Sequence, residues 1–137
     1  MKTELDFRIL SPDSADASKS VAELEASAGW IKPGESYEEI AAILKNSFLC
    51  VGAYVGGEMA GFVRVLSDGV DIAYFVDFTV SPKYRKRGIG SQMCRFLIGH
   101  LKGMGFSEIL CISTPEAKGV YSKVGEPLGG CFPIRFM

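Results

Sequence analysis

Arg85-Lys86-Arg87-Gly88-Ile89-Gly90 stands between an apolar run over residues 72–80, patterned as a strand, and a run over 89–104 patterned as a helix. Three cations and two glycines therefore sit where a strand turns into a helix. The first turn of a helix offers about four backbone N–H groups with no internal partner, and roughly half a positive charge from the aligned peptide dipoles. Glycine carries no side chain to hold a ligand away from those groups. The loop reads as a cradle for a phosphate or pyrophosphate.

Spacing narrows the ligand. The P-loop pattern G-x-x-x-x-G-K-[ST] is absent. A dinucleotide fingerprint needs a third glycine tight against the first strand, but Gly88-Ile89-Gly90 is followed by Ser91-Gln92-Met93, and residues 81–87 intervene. The remaining pattern, R-x-x-G-x-G, is met by Arg85, Gly88 and Gly90 within Val80-Ser81-Pro82-Lys83-Tyr84-Arg85-Lys86-Arg87-Gly88-Ile89-Gly90. A solvated basic turn is the bland alternative. A single-stranded nucleic acid would call for more aromatic residues than Tyr84 alone.

On the N-terminal side, Leu5, Phe7 and Ile9 alternate as in a strand, which Ser11-Pro12-Asp13 ends. Val21, Leu24, Glu25 and Ala28 form a helical stripe closed by Gly29. A loop with Pro33-Gly34 follows, then a helix capped by Ser36 with Glu39 in capping-box position. Strands are expected over 48–55 and 59–66, joined by the hairpin signal Gly56-Gly57, and over 72–80 after the turn Asp68-Gly69. This is an antiparallel meander. The pattern then becomes strand, helix, strand, helix, and a crossover helix implies a parallel pair. Ile89, Met93, Phe96, Leu97, Leu101 and Met104 give the crossover helix its sheet-packing face.

The 137 residues suit one domain, residues 1–137, with 47% apolar and 23% charged residues. The net charge of −1 gives no global attraction to nucleic acid, so the cations at 83–87 are a local feature. Cys50, Cys94, Cys111 and Cys131 show no C-x-x-C spacing and the sole histidine is His100, so no metal site is expected. His100, four residues from Phe96 and from Met104, reads as a partly buried structural residue. No apolar run is long enough to span a membrane, no apolar signal core follows Met1, and a cytoplasmic compartment is expected.

The loop with its preceding strand and Pro-x-Tyr resembles the coenzyme A pyrophosphate loop of the GNAT superfamily, the Gcn5-related N-acetyltransferases. The resemblance extends over residues 48–125, through a strand at 108–113 and a helix at 115–124 whose Ala117 and Tyr121 match an A-x-x-x-Y pattern. It implies an α/β fold with a mixed sheet: an antiparallel N-terminal meander, then a parallel pair, strands 4 and 5, splayed around acetyl-CoA. It implies an acetyl-CoA-dependent N-acetyltransferase acting on a primary amine of a small molecule, with a non-catalytic acyl-CoA-binding sensor or scaffold as the alternative. A homodimer is common in the family. No nucleic acid, membrane or metal partner is implied.

The resemblance also places residues. Phe78, Thr79 and Val80 would pair with the pantetheine arm, and the Val80 N–H would face the thioester carbonyl as an oxyanion donor. Arg85, Lys86, Arg87, Gly88, Ile89, Gly90 and Ser91 would hold the pyrophosphate. Thr114 stands where the family often has an asparagine on the cofactor arm. Tyr121 would protonate the departing thiolate. Asp77 is the carboxylate nearest in sequence for a base, while Tyr74 replaces the family's frequent glutamate; an odd separation sets these two on opposite strand faces. Gly125-Glu126 departs from the usual Gly-Phe before the last expected strands, over 128–137.

Overall fold

The computed structural model describes residues 4–30 and 37–136. Five strands form one sheet in chain order: β1 (Leu5–Ile9), β2 (Leu49–Val55), β3 (Glu58–Ser67), β4 (Ile72–Val80) and β5 (Glu108–Leu110). The first four are antiparallel neighbours and the last pair, β4–β5, is parallel. The mixed sheet is as expected. Gly56 and Gly57 both take positive φ, 57° and 83°, as a two-residue hairpin between right-twisted strands requires.

Helices cover both faces. On one lie α1 (Ala15–Ser27) and α2 (Tyr37–Asn46), burying Val21, Leu24, Ile40 and Leu44 against Cys50, Met59 and Phe62. On the other lies α3 (Ile89–Gly103), whose Ile89, Met93, Leu97 and Leu101 pack on Val51, Val63, Val65 and Phe75. Alternation along β2 feeds both cores: Cys50 goes to the first, Val51 and Ala53 to the second. Ser14 caps α1, its hydroxyl accepting the Ala17 N–H at 3.1 Å. The expected Ser36 cap and the Pro33-Gly34 loop lie outside the described residues.

β4 carries an irregularity with consequences for the site. Phe62 pairs with Thr79 but Arg64 with Val76, so three steps of β4 oppose two of β3, and Asp77 takes φ +56°. This is a β-bulge. It reverses the side-chain alternation: Phe75 belongs to the α3 core, whereas Thr79 faces the α1 side beside Phe62. The parity reading of Tyr74 and Asp77 therefore fails. Asp77 bonds to Arg64, and Arg64 shares its face of β3 with Leu66, the cross-strand partner of Tyr74.

The C-terminal elements are shorter than their sequence patterns. β5 pairs only from Ile72↔Glu108 to Tyr74↔Leu110 and ends before the expected 113, because β4 turns away toward its bulge. The helix expected over 115–124 is a 3₁₀ turn, Pro115–Ala117, running into a one-turn helix α4, Lys118–Tyr121. The strands expected over 128–137 do not form among the described residues. Pro127 and Pro133 lack a ladder donor, Gly130 takes φ +78°, and Phe132, Ile134 and Phe136 are exposed.

Candidate active site

The loop between β4 and α3 is anchored from below. Residues Pro82–Tyr84 form a 3₁₀ turn. The buried Tyr84 donates its hydroxyl proton to Glu58 Oε2 at 2.8 Å, and Lys83 Nζ donates to the same oxygen at 3.0 Å. Lys83 is thus engaged by Glu58, whose carboxyl these two hydrogen bonds hold below its ordinary range. Arg85 Nε donates to the Val80 carbonyl at 3.3 Å, and the Arg87 guanidinium lies 5.4 Å from the Tyr84 ring centre.

Lys86 and Gly88 both take left-handed φ, 64° and 76°, with Arg87 between them. Left-handed residues interleaved with ordinary ones turn successive N–H groups toward one side, the geometry of an anion nest. Among the described residues, the Lys86, Arg87 and Gly88 N–H groups meet no acceptor, and the first bond of α3 is Gln92 N–H to the Gly88 carbonyl, 3.1 Å. The Ile89, Gly90 and Ser91 N–H groups precede that bond. A Cβ built on Gly90 would lie 3.5 Å from Val120 and 3.6 Å from Phe78, ordinary contact distances. Protein packing does not demand glycine there; an approaching ligand would.

Beyond the bulge, one edge of β4 is open. The Ser81 N–H donates to Ala60 on β3 at 2.8 Å. Adjacent strand residues direct their N–H groups to opposite edges, so the Val80 N–H points away from β3. β5 would lie there, but its pairing ended at Tyr74. The two strands splay as expected, with the cradle at the end of the opening.

A cavity of ≈ 390 Å³ lies over the splay, between α1, α2, the bulged stretch of β4 and α4. Tyr121, Asp77, Phe78, Thr79 and Thr114 all line it. Tyr121 is half-buried, its ring 5.4 Å from Phe78 in an edge contact and 5.8 Å from Phe75. Burial pushes its hydroxyl pKa well up, so it stays protonated. The Thr114 hydroxyl accepts the Ala117 N–H and so caps the 3₁₀ turn. Asp77 Oδ2 accepts from Arg64 Nε at 2.5 Å.

A second carboxylate, absent from the sequence-derived candidates, lines the same cavity. Glu25, on the last turns of α1, is only 9% exposed, and its Oε1 accepts the Thr79 hydroxyl proton at 3.0 Å. Burial is the largest influence on it and raises its pKa to about 7. Asp77 also raises it, while the Thr79 hydrogen bond and Arg64 lower it. The signal was in the sequence: Glu25 interrupts the apolar stripe Val21, Leu24, Ala28 at a position that must face the sheet.

His100 stands apart from this cavity and is exposed rather than partly buried, its ring 6.3 Å from Phe96. A wider hollow of ≈ 710 Å³, flanked by Ser20, Gly57 and Lys83, contains none of the candidate site residues. Among the described residues no three His, Cys, Asp or Glu side chains converge as metal ligands, and no helix is long and apolar enough to cross a membrane.

The model of the acetyltransferase (GNAT) family matches residues 18–125. An uncharacterized N-acetyltransferase ycf52-like protein of Prochlorococcus marinus is 26% identical over 114 residues, covering 78% of this chain and 62% of that protein. Glucosamine 6-phosphate N-acetyltransferase 1 of Oryza sativa subsp. japonica is 29% identical over 96 residues, 65% of this chain and 58% of that one. The chain thus spans less than two thirds of the length of these relatives. Among solved structures, a ribosomal-protein-alanine N-acetyltransferase from Brucella melitensis biovar Abortus superposes with a TM-score of 0.77 at 16% identity, covering 98% of this chain and 100% of that one. At that identity the likeness establishes the fold.

Proposed function

The chain belongs to the acetyltransferase (GNAT) family, and from that premise we propose that it transfers the acetyl group of acetyl-CoA to a primary amine of a small molecule. The observation that carries the reading is the juxtaposition of the two half-sites: an N–H nest at 86–91 and, along the open edge of β4, a cavity lined by Tyr121. Bound acetyl-CoA would supply the activated acyl group as a thioester.

In this reading the N–H groups of residues 86–91 bind the pyrophosphate, with Arg85, Lys86 and Arg87 adding charge around it. Phe78, Thr79 and Val80 present the free strand edge that orients the pantetheine arm. The Val80 N–H stabilises negative charge growing on the acyl oxygen. Tyr121 delivers its proton to the departing sulfur; burial keeps that proton on the hydroxyl in the resting site. Thr114 flanks the arm. The cavity walls are largely apolar apart from Glu25, Asp77, Thr79, Thr114 and Tyr121, and offer the acceptor an apolar surface with a few polar groups. The glucosamine 6-phosphate enzyme among the relatives acts on a small amine, which is in keeping with the reading, whereas a ribosomal-protein enzyme shares the fold.

The test is release of CoA thiol from acetyl-CoA in the presence of glucosamine 6-phosphate and a panel of primary alkyl- and arylalkylamines, with calorimetry of acetyl-CoA alone. Thiol release dependent on an amine supports the reading. Tight acetyl-CoA binding with no transfer to any amine favours a sensor or scaffold, and no binding ends both.

A further inference from the structure

We propose that Glu25 is the base of this reaction, receiving the acceptor amine's proton inside the cavity; the assignment rests on the acetyl-transfer reading above. As the amine nitrogen forms its bond to the acyl carbon, the C–S bond breaks. The nitrogen's surplus proton passes to the Glu25 carboxylate, and the Tyr121 proton passes to the sulfur. Solvent then carries a proton from Glu25 back to Tyr121. No electrons are exchanged and no further reactant is needed.

Position is the first support. The bulge at Asp77 brings the Thr79 side chain to the α1 side, where it bonds Glu25, while the Val80 N–H turns to the open edge. Glu25 therefore bonds to the residue next to the oxyanion donor and lines the same cavity as Tyr121. Its free bonding capacity is the second. Oε1 is taken by Thr79, while Oε2 accepts no hydrogen bond among the described residues. No sealed side-chain oxygen or nitrogen among them lacks a partner, so Oε2 stays reachable from the cavity.

The competing bases are otherwise engaged. Asp77 is bonded to Arg64. Burial raises the Tyr74 hydroxyl above its ordinary range, away from basicity at neutral pH. The environment of Glu25 also suits the task. Asp77 approaches from β4 and Arg64 from β3; α2 presents the apolar Ile40, Ile43 and Leu44, and the cavity lining also includes Cys111 and Tyr121. A carboxyl titrating at about 7 is half ionised at neutral pH and is a stronger base than a solvated glutamate.

The experiment compares wild type, Glu25→Gln and Thr79→Val with the same amine panel from pH 5.5 to 9, alongside acetyl-CoA affinity by calorimetry. Glu25→Gln is expected to lower kcat/KM for the amine by about 100-fold or more, to abolish the inflection near pH 7, and to leave acetyl-CoA affinity within about twofold. Thr79→Val removes a hydrogen bond to the ionised form and is expected to move the inflection to higher pH. A Glu25→Gln enzyme that keeps the inflection and loses less than about threefold in rate overturns the assignment while acetyl transfer stands. A wild type that binds acetyl-CoA but acetylates no amine, or does not bind it, overturns the parent reading, and the role of Glu25 falls with it.

Discussion

Glu25→Gln should make the protein more stable at pH 8 and leave it nearly unchanged at pH 4. The magnitude follows from the burial of one carboxyl. Its ordinary pKa of 4.5 rises to about 7 in the folded chain. Below 4.5 both folded and unfolded states hold the proton and nothing is lost. As pH rises through 4.5 the unfolded chain releases it while the folded chain does not, so stability falls by about 1.4 kcal/mol per pH unit. The loss levels off once pH passes about 7. The whole shift amounts to on the order of 3 kcal/mol, or a melting temperature lower by roughly 10 °C in a domain of this size. Gln keeps the volume and an oxygen for the Thr79 hydroxyl but carries no proton to lose. Urea denaturation of both proteins at half-unit steps from pH 4 to 8.5 gives the difference curve. Carboxyls shared by both variants, such as Glu58 and Asp68, cancel in it. A difference constant to within about 0.5 kcal/mol would falsify the idea that Glu25 sits in a desolvating site.

Other substitutions probe the remaining parts separately. Gly90→Ala adds a methyl that the protein accommodates at 3.5 Å from Val120, so thermal stability should hold while calorimetric affinity for acetyl-CoA falls at least tenfold; equal affinity would mean the ligand does not approach α3 there. Tyr121→Phe keeps the ring contacts with Phe75 and Phe78 and should lower kcat by about 10- to 100-fold with little change in acetyl-CoA affinity; an unchanged kcat across pH removes Tyr121 as the acid. Asp77→Asn tolerates the left-handed backbone and should retain most activity, whereas Asp77→Val, β-branched at φ +56°, should destabilise by about 1–3 kcal/mol in denaturant melts. Loss of activity in the Asn variant equal to that in Glu25→Gln would make Asp77 the base instead.

The regular parts of the molecule are written in local signals. The apolar run of β4 matches its strand residue for residue, and Gly56-Gly57 forms the turn its composition demands. Arg85, Gly88 and Gly90 mark the cradle because spacing alone decides which phosphate motif they satisfy. Two matters escape such signals. The bulge depends on how β3 and β4 align; the aspartate in Val76-Asp77-Phe78 is compatible with a strand bulge, but only its φ establishes that it is left-handed. The C-terminal run alternates Phe132, Ile134 and Phe136 as a strand would, yet two prolines and a glycine pair leave it unpaired among the described residues. Alternation records which side chains could share a face, not whether an edge is there to receive them.

A single backbone angle ties the two halves of the site together. With regular pleating from Phe75 onward, Thr79 would have faced α3 with Phe75, and Val80 would have faced α1. The extra residue at Asp77 exchanges them. Thr79 then meets Glu25 and supplies a hydrogen bond to its carboxylate on the helix stripe. The same distortion carries β4 away from β5 after Tyr74, which frees the strand edge along which the Val80 N–H is offered. The left-handed strain at Asp77 is offset locally by its ion pair with Arg64, itself anchored near Ser47 at 3.4 Å. The opening of the sheet, the placing of the base and the exposure of the oxyanion donor are therefore not three features to be explained separately. Each follows from one inserted residue in β4, and a chain that straightened the strand would lose all three at once.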